Sequence, residues 1–271
     1  MSGLTQHSDS GLMRRKPLRL LLTLFLILWL THTLGYLVHE YAHSFTAWVL
    51  GYKANPVALN YGHLNVQNVL LLSDVDENVD YAPVFAAGKA HLAALIAIAG
   101  VLFGNGVFYL YSRWLYVFST KRGSQLAGLF AFLFCLMNAG NFLSYVPVRT
   151  FATHADMSTV EKGLKVSPLW PAIVLGFPFA LALWHLFARM LPDACKFLFP
   201  DRRLAQINLT ALTSFMVFGF FGSAGMYGYG SVSHCISMVS FCLALPLALI
   251  LCWPRRAKQV ADAQVAAASS Q

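Results

Sequence analysis

Charge is what this sequence has least of. Asp, Glu, Lys and Arg make up 11% of its 271 residues, where a soluble domain carries about 25%. With 58% hydrophobic residues and a mean hydropathy of +0.59, the shortage excludes an ordinary soluble enzyme and indicates an integral membrane protein. Cysteine is also scarce. The five cysteines, Cys135, Cys195, Cys235, Cys242 and Cys252, form no CxxC pair and mostly fall in apolar stretches. That excludes a disulfide framework and a thiolate zinc site. There is no His-His pair and no internal repeat. Nor does a small-x-small cleavage site follow the basic start (Arg14-Arg15-Lys16, then Leu20 to Leu30), so this run reads as an uncleaved first span. The net charge of +8 sits in short runs beside apolar segments. It fits topology determinants facing a lipid bilayer, not a nucleic-acid surface.

The apolar runs set the organisation. Residues 1–17 and 254–271 read as polar tails around one polytopic unit, 18–253. The first run, Leu18 to Leu50, would be ~50 Å long as a helix, more than a ~30 Å hydrocarbon core, so it must tilt, bend near Gly35 or project. Further spans are expected at about 84–111, 126–146, 169–190, 204–226 and 235–253. Gly100, Gly104 and Gly106 in the second allow close helix contact. The expected fold is an all-α membrane protein of about six transmembrane helices, with a possible small β-hairpin after the first. That hairpin rests on strand-forming residues around Tyr61-Gly62 in 56–72. Arg and Lys concentrate on one set of connections, leaving only Lys53, Lys89, Arg149, Lys162 and Lys165 on the other. This bias predicts both termini inside. The far end of span one and the polar connection 148–168 then meet at one face.

The chemistry centres on His39-Glu40-Tyr41-Ala42-His43. Residues four apart share a helix face, so both imidazoles can hold one Zn²⁺. Glu40 points about 100° away and can reach a water on the metal without being a ligand. Three ionisable groups inside an apolar span are costly, and are functional candidates by default. A catalytic zinc wants a third protein ligand. Asp156 is the leading candidate, with His154 and Glu161 as alternatives nearby. Asn138 and Asn141 lie three apart on span three, where their amides can bond a substrate backbone, orient a ligand or simply join helices.

An HExxH in an apolar helix, followed by an asparagine-to-proline stretch and an aspartate, resembles the site-2 protease family of intramembrane zinc metallopeptidases. The resemblance covers about residues 35–157, and its first motif is the specific part. It implies zinc held by His39, His43 and Asp156, Glu40 as the base, and Asn141 as the residue that helps hold substrate. The chain departs from the family where Met157, not glycine, follows the aspartate, and where Asn141 and Asp156 stand further apart. It has no PDZ-like domain. The family is reached from the cytosolic side, opposite to the charge bias here.

The expected function is zinc-dependent cleavage of membrane protein substrates in or near their transmembrane segments, with 56–72 offering an edge strand to an unwound substrate. The expected place is multi-pass in a membrane, the bacterial cytoplasmic one. Two rivals remain. One is a metal-binding scaffold or transporter without catalysis. The other is a di-iron desaturase or hydroxylase, which the missing His-His boxes disfavour. Oligomeric state is left open.

Overall fold

The computed structural model describes residues 17–254. The tails expected at 1–17 and 254–271, with the basic clusters at Arg14–Lys16 and Arg255-Arg256, lie outside the described residues apart from Pro17 and Pro254. The protein is an all-α membrane protein. Its elements are α1 (Pro17–Val49), α2 (Val66–Leu71), α3 (Ala90–Lys121), α4 (Gln125–Val148), α5 (Ala155–Leu164), α6 (Leu169–Leu198), α7 (Arg203–Ser223) and α8 (Gly230–Leu251). Six of them, all but α2 and α5, are long and apolar enough to cross a membrane.

The bundle is built on α4. Every residue from Ala131 to Val146 is buried, which follows from a sequence that is apolar on all sides. α1 packs against both α4 and α3. Apolar side chains gain little by leaving lipid for a helix interface, so close packing and polar contacts must hold such helices together. Small residues provide the closeness. A Cβ on Gly104 would lie 2.7 Å from the His39 Cα and 2.8 Å from the Val38 oxygen. α1 runs unbroken through Gly35. There the helix presents no side chain, and Met137 of α4 comes close enough to stand 3.2 Å from a Cβ built at that position. Gly35 is therefore a contact point, not the bend that the length of the run suggested. Gly106 is not a close contact, since a Cβ there would meet only the Val101 oxygen, at 3.5 Å.

The segment after α1 corrects the expected hairpin. Among the described residues there is no strand over 56–72. One antiparallel bridge joins Asn60 to Asp76, and Val66–Leu71 is helical. The segment folds back along α1. Trp29 donates to the Val69 oxygen (2.9 Å), His32 to Leu71 (3.3 Å) and Tyr36 to Val75 (3.3 Å). Trp29 lies about 20 residues, or ~30 Å, before the end of the helix. Irregular backbone this deep needs internal partners for its polar groups. Side chains supply them. Asn68 donates to the Tyr61 and His63 oxygens and accepts from the Asp74 N–H. Lys53 Nζ donates to the Ala58, Glu77 and Asn78 oxygens. Leu59, Leu72 and Val75 pack on Tyr36, Leu37 and Tyr41, while Leu64, Val66, Val69, Leu70 and Leu71 stay exposed as surface for lipid.

The polar connection 148–168 holds a helix, α5. α5 carries Asp156 in its first turn and lies on α3, where Gly163 meets the backbone of Ala90 and the side chain of Ala94.

Candidate metal centre

His39 and His43 are one turn apart on α1, with ring centroids 4.7 Å apart at 80°. Both are buried. Asp156 reaches them from α5. Its Oδ2 is 3.2 Å from His39 Nε2 and 3.3 Å from His43 Nε2, and the two Nε2 atoms are 3.1 Å apart. These form a nearly equilateral triangle. In a tetrahedral site with ligand bonds of about 2.0–2.1 Å, ligand atoms stand about 3.3–3.4 Å from each other. The triangle therefore has the size of one face of such a site.

The hydrogen bonds behind the rings set their tautomers. His39 Nδ1 donates to Asn105 Oδ1 (2.7 Å) and His43 Nδ1 to the Ile96 oxygen (2.7 Å). Carbonyl oxygens only accept, so each ring carries its proton on Nδ1 and turns the Nε2 lone pair inward. Two lone pairs and a carboxylate oxygen then converge with no donor among them. This is unfavourable unless a cation sits between them, so the buried group can hold a metal ion.

The supporting residues come from α3 and α4. Residues Gly100–Val107 form wider π-helical turns, a feature frequent at functional sites. They bring Asn105 behind His39. Asn105 Nδ2 points to the Gly35 oxygen and to Asn138 Oδ1, each at 3.4 Å, which fixes the amide with its oxygen toward the ring. Gly100 closes the site from the same helix. A Cβ there would collide with His43 Nε2 and stand 2.6 Å from His39 Cε1. On the far side Tyr145 stacks on the His39 ring, 4.3 Å away at 19°. Ala155, just before the aspartate, has φ 67°, a left-handed backbone costing about 1–2 kcal/mol for a residue with a Cβ. That strain sits where the chain turns to aim Asp156.

Glu40 is 4% exposed. Its carboxylate makes no hydrogen bond or ion pair among the described residues. Asn138 donates to the Phe134 oxygen (2.8 Å) and Asn141 to the Gly35 oxygen (3.2 Å), so both amide nitrogens are already used in the helix packing. Of these two amides, the Asn141 side-chain oxygen has no partner among the described residues. The alternatives to Asp156 are not brought to the group. His154 is exposed and stacks on Tyr229 at 4.7 Å, and Glu161 lies further along α5.

Asn105, Gly100 and Tyr145 were not singled out as site residues by sequence reasoning. A lone asparagine in an apolar span is the one signal that could have found Asn105, because such a group needs a partner. Asn105→Ala should weaken metal binding about 10–100-fold, as removal of a residue that orients a ligating histidine does. Titration with a competing chelator measures this, and an unchanged affinity would show that the bond to His39 Nδ1 has no such role.

The chain is thus a multi-pass membrane protein with a buried cluster of two histidines and an aspartate fit for one metal ion. No protein-family model matches it, and neither does any curated protein or solved structure.

Proposed function

We propose that the protein is a zinc-dependent intramembrane endopeptidase that cuts membrane protein substrates in or next to their transmembrane segments. One observation carries the reading. Glu40, a residue 4% exposed whose carboxylate has no hydrogen-bond or ion-pair partner among the described residues, directly follows a residue of a metal-sized ligand triangle. An unpaired buried carboxylate costs several kcal/mol. A group kept at such a cost is a candidate for a functional role.

Zinc bound by His39, His43 and Asp156 would lower the pKa of a water toward ~7 and polarise a peptide carbonyl. Glu40 would serve as the base that accepts a proton from the attacking water and passes it to the leaving amine. Asn105 and the Ile96 carbonyl keep both Nδ1 protons in place, so the imidazoles stay neutral and aligned. Tyr145 stacks on the His39 ring, and the lack of a side chain at Gly100 lets α3 come close to both rings. Asn141 can accept an N–H of substrate on its free oxygen. The site lies on α1 inside the run that spans the membrane, which favours substrates already embedded in lipid. The location that goes with this reading is the cytoplasmic membrane of a bacterium, and the family it would place the chain in is that of the site-2 proteases.

A scaffold or transporter would need the triangle but not a free Glu40. A di-iron enzyme would need more ligands, and His39, His43 and Asp156 are the only such group among the described residues.

The purified protein is expected to carry one zinc per chain by elemental analysis. Asp156→Asn should lose most of it, while His154→Ala keeps it. Co-expression with single-span membrane proteins should give fragments that vanish in Asp156→Asn. Iron in place of zinc, or metal retained in Asp156→Asn but lost in His154→Ala, would refute the assignment.

A further inference from the structure

Arg149 follows directly on the π-turns that end α4, and its Nε is buried with no hydrogen-bond partner. Among the described residues its guanidinium makes no ion pair and no hydrogen bond. The residue keeps partial exposure, so the free donors are reachable. Two aromatic rings hold it. The guanidinium carbon stands 5.1 Å from the centre of the Tyr145 ring and 4.6 Å from that of Tyr229. The turn that carries Tyr229 is seated by Gly225, where a Cβ would lie 2.8 Å from Val148 Cγ1.

Stacking of this kind occupies the face of a guanidinium within about 6 Å of a ring. It leaves the edge, with five N–H donors in one plane. That edge matches a carboxylate, which accepts two parallel hydrogen bonds from it. An arginine fixed by its face and empty along its edge, in a partly buried place and with no ion-pair partner among the described residues, is a built receptor for an anion. Its distance from the metal site is short. The Tyr145 ring that stacks on Arg149 also stacks on His39, at 4.3 Å. A bound chain in extended form advances about 3.3 Å per residue, so the guanidinium lies within two or three residues of a bond held at the triangle.

We infer that Arg149, held between Tyr145 and Tyr229, is a subsite for a substrate carboxylate two or three residues from the scissile bond. The carboxylate is either an acidic side chain or the C-terminus of the substrate. The inference rests on the peptidase reading for the kind of substrate, and on the geometry alone for the anion. It makes the enzyme selective for a charge rare in membrane spans, and so for the ends of spans.

Binding and cleavage separate the two claims. The probes are apolar peptides with an amidated end and one Glu, the same with Gln, and the Gln peptide with a free C-terminal carboxylate. Binding is measured by fluorescence anisotropy to the full-length, zinc-loaded Glu40→Gln chain in nanodiscs of neutral lipid, with Arg149 or with Arg149→Gln. One of the two carboxylate peptides should bind about 10–100-fold tighter than the neutral one. The preference should vanish in Arg149→Gln and return in part with Arg149→Lys, zinc content being equal throughout. Which peptide binds tells the side chain from the chain end. Equal preference with and without Arg149, or an equal loss for neutral and acidic peptides, would overturn the subsite. So would an effect of Arg149→Gln seen only in nanodiscs of anionic lipid, which would assign the guanidinium to a headgroup. If the preference holds but the wild-type chain cuts none of the peptides, the peptidase reading fails and the subsite stands.

Discussion

Glu40→Gln is expected to bind zinc as the wild type does and to cleave about 10²–10⁴-fold more slowly, the range that general acid–base groups contribute. The substitution keeps the shape of the side chain and removes its ability to take a proton. It also removes a 4% exposed carboxylate that has no partner among the described residues, and a buried charge is costly to keep. The variant should therefore be at least as resistant to heat as the wild type. Zinc content, fragment formation and thermal unfolding in detergent give the three readings. The combination of zinc kept, cleavage lost and stability kept or gained is what a protease predicts. A scaffold predicts no change in processing of any membrane protein, and fragments that persist in Glu40→Gln would rule out Glu40 as the base.

The second large effect comes from a residue with no side chain. In Gly100→Ala the new methyl falls against His43 Nε2 and within 2.7 Å of His39 Nε2, the very atoms that would hold zinc. No rotamer relieves this, since a Cβ has none. Either the methyl takes the place of the ion, or α3 moves off α1, and overpacking of this kind costs about 1–3 kcal/mol. Zinc should fall below one-tenth of the wild-type content. Gly106→Ala on the same helix meets only the Val101 oxygen at 3.5 Å and should keep full zinc and full stability. A Gly100→Ala protein with normal zinc would show that the triangle is not where the metal sits.

The parts of this site legible in the sequence are those with a local spacing. His39, Glu40 and His43 lie within five residues, and helix geometry alone puts the two rings on one face. The six spans are legible for the same reason, since length and hydropathy are local. Gly100 was legible as a point of close contact, but not as contact with the histidine rings themselves, because that depends on the rotation of α3 through its π-turns. Asn105 carries no spacing at all. Its role exists only once a chain segment 66 residues away folds against it. The helix α5 left a weak trace, Met157, Val160 and Gly163, three apart and all buried. Polar residues around them outweighed it. The possible hairpin after α1 does not form because strand-forming residues such as Val57 and Leu59 say nothing of Asn68 and Lys53, whose side chains do the bonding that strand partners would have done.

The span of 117 residues between His39 and Asp156 also sets an order in time. Synthesis at roughly 5–20 residues per second separates the two by about 6–23 s. Through that interval the first helix carries two histidines and a glutamate without the aspartate, and Asn105 is made 66 residues after His39. A newly inserted chain thus cannot close the triangle, and metal binding there must wait until α5 has been delivered to its place on α3. The metal cluster is thus completed late, after both histidines and Asn105 have already been made.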